Sequence, residues 1–266
     1  MYQTTYHRAS SVADASKLLK KAEDGRLVSG GMTLIPAMKT RLSAPSDLVD
    51  LRHIPEMKGI AISGRDVTIG AATTHAEVAT SAKLAKLCPA ICHLAAHIGD
   101  PHVRHMGTIG GSIANNDPAA DYPAAMLALG AIIVTDKRRI AAADFFTGLF
   151  ETALGDDEIV TSVTFTAPAR CGYAKFPNPA SRYAMAGVFV AKDKAGVRVA
   201  VTGAGEDGVF RAQEIEAALS KKFDPSALEG MTVPSGTLMS DLHASAEYRA
   251  NLVVVMAKRA VAMANG

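Results

Sequence analysis

Along residues 11–23, SVADASKLLKKAE, the apolar positions Val12, Ala15, Leu18 and Leu19 fall on one face with charges between them. That spacing predicts an amphipathic helix, closed at Gly25. Arg26–Ser29 reads as the first strand. Gly30-Gly31 then opens a helical pattern through Leu34, Met38 and Leu42, with Pro36 in the first turn, where its missing N–H is tolerated. Asp47–Leu51 supplies a second strand, so residues 1–54 read as a small α/β unit with parallel strands.

A second unit begins near Ile60. Val67, Ile69 and Ala71 alternate as a strand, and Thr74-His75-Ala76-Glu77 has the form of a capping box. The helical pattern it opens runs to His97, interrupted at Pro89. Residues 103–123, VRHMGTIGGSIANNDPAADYP, again set apolar residues before a glycine turn. A short helix at Ala124–Leu129 leads to a strand at Ala131–Thr135. The segment 143–165 is a loop rich in Phe145, Phe146 and Phe150 that ends in the strand Glu158–Phe165, stopped by Pro168.

Composition shifts there. Arg170, Lys175, Pro177, Pro179 and Arg182 make residues 169–182 read as a linker or an exposed strand edge. Ala184–Ala191 and Val197–Thr202 form a hairpin across Asp193-Lys194-Ala195-Gly196, and helices follow at 211–220 and 241–264. Strands followed by helices indicate an α+β domain, with the boundary near residue 169.

The 48% hydrophobic and 20% charged content is that of an ordinary globular chain, and a net charge of +2 gives nucleic-acid binding no support. No apolar run approaches bilayer length, and the N-terminal stretch lacks the apolar core of a signal peptide, so a cytoplasmic location is expected. Three cysteines are too few for a four-cysteine iron–sulfur cluster carried by this chain alone. Electrons reaching a cofactor here from such a centre would have to come from another polypeptide.

Two stretches carry candidate chemistry. Ser29, Gly30, Gly31, Met32, Thr33 and Leu34 form strand, glycine turn and helix start, which suits a pyrophosphate. Thr108, Ile109, Gly110, Gly111 and Ser112 repeat the paired glycines. Glycines there would permit positive φ and let consecutive N–H groups converge on an anion, with two hydroxyls beside them. Asp121 is an acceptor within reach of a ribose hydroxyl. The plainer reading of either glycine pair is a tight turn between a strand and a helix.

Other clusters are weaker. Cys88, Cys92, His93, His97, His102 and His105 resemble a ligand set, but the cysteines lie among Leu84, Leu87, Ile91 and Leu94, which favours packing. Gly203-Ala204-Gly205-Glu206-Asp207-Gly208, with Asp224 beyond it, has dinucleotide-fingerprint spacing. It lacks the apolar second strand a Rossmann unit needs, so a turn at a hairpin exit is the better reading. Asp117 and Asp121 lie four apart beside prolines and suit ligand binding or turn stabilisation better than acid–base work. No nucleophile elbow or His-Glu-x-x-His pair is present.

The stretches SGGMTLIPAMKTRL, LVDL, VTIGAATTH, VRHMGTIGGS, NDPAADYPA and SAEYRANL resemble one family from end to end: the medium, FAD-binding subunit of the molybdenum hydroxylases (the xanthine dehydrogenase family), on the carbon monoxide dehydrogenase branch. The resemblance implies an α+β chain. A two-subdomain PCMH-type FAD-binding fold would occupy residues 1–168 (subdomains about 1–54 and 55–168), with a C-terminal α+β domain over 169–266, an antiparallel sheet with helices. It implies FAD held by Ser29–Leu34 and Thr108–Ser112 from two sides, with Asp121 bonding a hydroxyl or amide. Ile159 and Val160 would pack on the rings, and Lys175 and Tyr183 would approach the flavin from the C-terminal domain. Two departures stand out: Met32 replaces a usual polar residue, and Phe176–Ser181 replaces a lysine-rich stretch. Implied partners are a small [2Fe–2S] subunit and a large molybdopterin subunit, in a dimer of heterotrimers, with a quinone or another electron acceptor. A stand-alone FAD oxidoreductase and a flavin-free assembly protein are the alternatives.

Overall fold

Three larger sheets of different build and one two-stranded hairpin share the chain in the computed structural model, which describes residues 1–266. In the first, β1 (Thr5–Arg8) and β2 (Gly25–Val28) lie parallel to β3 (Asp47–Asp50), one on each side. Helix α1 (Val12–Lys21) is capped by Ser11, whose hydroxyl accepts from Asp14 N, and α2 (Leu34–Lys39) joins β2 to β3. Strand β1 was not expected from the sequence. It is a largely exposed edge, so no buried apolar face marks it.

The second sheet is antiparallel. Hairpin β4 (Ile60–Ser63) and β5 (Asp66–Gly70) is extended by β6 (Ile132–Thr135), β7 (Arg139–Ala141) and β10 (Val160–Thr166), in the order β4-β5-β10-β6-β7. The helical pattern after β5 resolves into α3 (His75–Thr80), α4 (Ala82–Leu87) and α5 (Pro89–Ala96). The expected capping box starts α3, Ser81 caps α4, and Pro89 sets the first turn of α5. Residues before Gly107 are helical, α6 (Pro101–Met106), and not the strand that their apolar character suggested; Asp100 caps this helix by accepting from Val103 N. Helices α7 (Ile109–Asn115) and α8 (Tyr122–Leu129) follow; α9 (Ala142–Phe145) and the small hairpin β8 (Phe146–Gly148)–β9 (Glu151–Thr152) occupy the aromatic loop.

The third sheet runs β11 (Arg170–Pro177), β12 (Ala184–Asp193), β13 (Gly196–Gly205), β14 (Gly208–Arg211), all antiparallel neighbours, with α10 (Gln213–Lys221) and α11 (Ala246–Asn265). The stretch read as a linker or an exposed strand edge is mostly an edge strand, but its residues Cys171–Ala174 are not exposed: they are buried between helices of two units. Cys171 Sγ lies 3.6 Å from Cys88 Sγ at the start of α5, while a Cβ on Gly172 would strike the Ala260 carbonyl of α11. Gly203–Gly208 is the end of β13 and its turn into β14, as the missing second strand indicated. Helix α11 starts five residues later than expected because Ser245 caps it. Its buried Arg249 donates to the carbonyls of Met185 (2.6 Å) and Gly203 (2.7 Å) and pairs with Asp241.

Candidate cofactor site

After β2 the backbone N–H groups of Ser29, Gly30, Gly31, Met32 and Thr33 find no acceptor in the protein. The turn is half-buried to exposed at the mouth of the cleft, so this row of donors is open to water or to an anion. Gly31 has φ +69°, a region glycine adopts without strain, and the turn borders a cleft of about 490 Å³. Gly30 presses on the neighbouring turn: a Cβ there would lie 2.5 Å from Gly107 Cα. Thr108 closes the junction, its hydroxyl donating to Ser29 Oγ at 3.1 Å.

The second glycine pair is built differently. Gly110 and Gly111 lie inside α7, without positive φ, and their N–H groups are already used. Ile109 N donates to Thr73 O (3.1 Å), Gly110 N to Ala71 O (2.9 Å), Gly111 N to Thr108 Oγ1 (3.2 Å) and Ser112 N to Thr108 O (3.0 Å). The expected convergence of free donors thus occurs at Ser29–Thr33 and not here. Sequence alone hides this, because helix start and docking against β5 consume the N–H groups. Gly110 is needed for that docking, since a Cβ would come within 2.5 Å of Ala71 Cβ. Gly111 faces the cleft, and a Cβ there would meet only Thr108 Oγ1, at 3.0 Å.

Of the residues singled out from sequence, Ser29–Leu34, Thr108, Gly110, Gly111, Ser112, Asp121, Ile159, Val160 and Tyr183 line this one cleft. Ile109 is wholly buried in the core, and Lys175 stands behind the wall. Lys175 Nζ lies 3.0 Å from Asp121 Oδ1 and 3.1 Å from Oδ2, and Tyr173 donates its hydroxyl to Oδ1. Burial pushes the Asp121 carboxyl up, against the pull of Lys175 and Tyr173. Burial also raises Tyr173 and Tyr183. The third sheet pins the loop that carries Asp121: Gly203 N donates to Pro118 O (2.9 Å), and Thr202 Oγ1 to Ala120 O (2.6 Å).

Several lining residues escaped the sequence reading. Glu158 is held by Arg138 at 2.9 Å, which brings its carboxyl down to about 2. Arg182, with φ +64°, sits in the segment taken for a linker and donates to Gly99 O. His75 was read only as part of a capping box. Asp117, read from sequence as suiting ligand binding or turn stabilisation, also lines the cleft and accepts from Ala119 N; burial raises its carboxyl too. Among the cysteines and histidines, Cys88 and Cys92 are buried in the core, as packing predicted, and the His93 and His97 rings lie 4.1 Å apart on one face of α5.

A parallel unit with a donor-rich glycine turn, set against an antiparallel unit across a cleft, has the make-up of a dinucleotide-binding protein. Residues 2–168 match the family described as the FAD binding domain in molybdopterin dehydrogenase. The chain belongs to the FAD-binding medium subunits of the molybdenum hydroxylases, and its cofactor is FAD. It is 37% identical to the carbon monoxide dehydrogenase medium chain of Afipia carboxidovorans over 96% of this chain and 94% of that one. The nicotine 6-hydroxylase medium subunit of Paenarthrobacter nicotinovorans is 34% identical, over 96% and 95%. Among solved structures, the cyanide-inactivated form of Cu,Mo-CO dehydrogenase superposes with a TM-score of 0.87 at 37% identity, covering 99% and 98% of the two chains. Quinoline 2-oxidoreductase from Pseudomonas putida 86 gives 0.87 at 28% identity, over 98% and 96%. No helix is long and apolar enough to cross a membrane.

Proposed function

We propose that this subunit relays electrons within a cytoplasmic molybdenum hydroxylase or carbon monoxide dehydrogenase-like complex. Bound in the cleft, FAD would supply the redox chemistry, linking the [2Fe–2S] centres of a small partner subunit to a quinone or another external acceptor. Substrate oxidation would belong to a large molybdopterin subunit, with the whole a dimer of heterotrimers. The observation that carries the reading is the run of unpaired N–H groups at Ser29–Thr33 facing the cleft.

The roles of the chain's own residues follow from that run. Ser29–Thr33 would bind the pyrophosphate through backbone donors, which is why Met32, with no polar side chain, is tolerated there. Thr108 and Ser112 would add hydroxyls and Gly111 the space for close approach. Asp121, fixed by Lys175 and Tyr173, keeps acceptor capacity at the wall. Ile159, Val160 and Tyr183 would exclude water from the apolar part of the ligand. We take residues 1–168 as the FAD-binding domain, with subdomains about 1–54 and 55–168, and residues 169–266 as a domain that closes the cleft through Ser181–Tyr183. The test is purification of the native complex, with its visible spectrum and subunit composition. Flavin bands and three different polypeptides are expected; substrate oxidation by this chain alone would overturn the partner assignment.

A further inference from the structure

We propose that His75 is a positioning residue of the cofactor cleft, its Nε2 donating a hydrogen bond to a phosphate oxygen of the bound dinucleotide. The inference rests on the FAD reading above and deepens it.

His75 is 4% exposed, and its Nδ1 is completely buried without a partner. Buried polar atoms are nearly always paired, and an orphan costs the whole desolvation of the group. Nε2 also bonds to nothing in the protein, but it is the ring nitrogen that keeps solvent contact, and His75 lines the cleft. It emerges where the two glycine turns meet. A Cβ on Gly107 would stand 2.6 Å from Nε2, so only glycine there lets the imidazole reach through. Gly107 in turn is the residue against which Gly30 packs.

The ring is held firmly. Thr74 and Glu77 cap α3 reciprocally, His75 N donates to Gly107 O (3.0 Å), and the Tyr122 ring lies 5.4 Å away on the buried side. The group is also uncharged: burial, and then the Arg104 guanidinium, bring its pKa down to about 4. A neutral imidazole carries one proton. Since Nδ1 is sealed and orphaned N–H groups are rarer than orphaned acceptors, the proton belongs on Nε2, toward the cleft. At this junction Nε2–H joins the free N–H donors of Ser29–Thr33. A row of donors favours an acceptor-rich group, which in a dinucleotide is the diphosphate.

The experiment uses the full chain, stripped of flavin, and measures Kd for FAD and for riboflavin, which lacks phosphate. His75→Phe should weaken FAD about tenfold to a hundredfold, the effect of one hydrogen bond to a charged group, and leave riboflavin unchanged. His75→Gln, whose amide can donate in the same direction, should recover most of the loss. In the wild type, the imidazole 15N and FAD 31P resonances should both move on binding, and the 31P shift should differ in His75→Phe. Those spectra of the wild type decide the matter even if the Phe variant does not fold. Unmoved 15N signals, or equal FAD affinity in His75→Phe with an unchanged 31P spectrum, would overturn the proposal and make His75 a core residue completed by water. A wild-type chain that binds no FAD would instead bring down the cofactor reading with it.

Discussion

Gly110 and Gly111 are adjacent, and each needs its missing side chain for a different reason. A methyl at Gly110 would drive into Ala71 of the β5–α3 connection, at 2.5 Å from its Cβ and 2.8 Å from its carbonyl oxygen. Gly110→Ala should therefore lower fold stability by roughly 1–3 kcal/mol, as overpacking does. At Gly111 the methyl meets only Thr108 Oγ1 and projects beside the cleft. Gly111→Ala should keep or raise apo stability, since alanine gains about 1 kcal/mol over glycine inside a helix, and yet lose FAD affinity. Thermal melts of both apo variants beside their FAD titrations check the pair, and a reversed pattern would misplace the ligand. The importance of both glycines was legible in the sequence. Its cause was not, because close approach depends on β5, more than thirty residues away. His75 sets a pH effect of its own. Its folded pKa of about 4 lies below the ordinary 6.5, so the unfolded chain takes up the proton first as pH falls. Stability should be full above about 6.5 and decline toward 4. His75→Gln should flatten that limb in urea titrations at several pH values. Arg104 on α6 is the cation acting on the ring, and Tyr122 on α8 packs against it. A lower limb, to which Glu158 contributes between 4.5 and about 2 beside other carboxyls that are also lowered, should survive the substitution.

Strand β11 shows why one stretch could be read either as a linker or as a strand edge. Cys171, Gly172, Tyr173 and Ala174 are all buried, because α5 covers one side and α11 the other. Two-sided burial removes the alternation that marks a strand, and short residues with nearby prolines then look like a linker. The neighbouring hairpin β12–β13 was plain, since the alternating valines Val188, Val190, Val197, Val199 and Val201 flank a turn with Asp193 and Gly196. What β11 contributes is the pair Tyr173 and Lys175, which clasp Asp121 from across the boundary between the second and third sheets. Both members of the ion pair have side chains only 5% exposed. Lys175→Met would leave the carboxylate buried with Tyr173 alone and should cost about 3–5 kcal/mol. Adding Asp121→Asn should restore much of that loss by removing the orphaned charge. Denaturant midpoints of the single and double variants measure the coupling; simple additivity would show that the pair is not mutually dependent.

The cleft belongs to no single unit. The first sheet supplies Ser29–Leu34, the second supplies His75 and Thr108–Asp121, and the third closes it with Ser181–Tyr183. A ligand bound there holds all three together, so FAD at a hundredfold excess over Kd should add about 2.7 kcal/mol to unfolding. For a chain of this size that corresponds to a rise in Tm of roughly 5–10 °C. The rise should appear in one transition seen by both flavin fluorescence and far-ultraviolet circular dichroism. If only part of the chain were stabilised, the C-terminal sheet would not be a wall of the site. At this scale the sequence was informative about order, placing a parallel unit, a second unit from near Ile60 and a hairpin-led domain in turn; that the second unit is antiparallel was not read. How they face one another was not readable, because contacts such as Gly30 on Gly107 join residues distant in the chain.

The position of that last wall also bears on how the protein is made. Translation releases the donor turn at residue 29 early and Tyr183 only after two thirds of the chain. The two strands that follow Tyr183 are then fastened through Met185 and Gly203 by Arg249, later still in the chain. On the ribosome, a nascent chain should therefore offer FAD an open shelf until Arg249 has emerged to fasten the third wall.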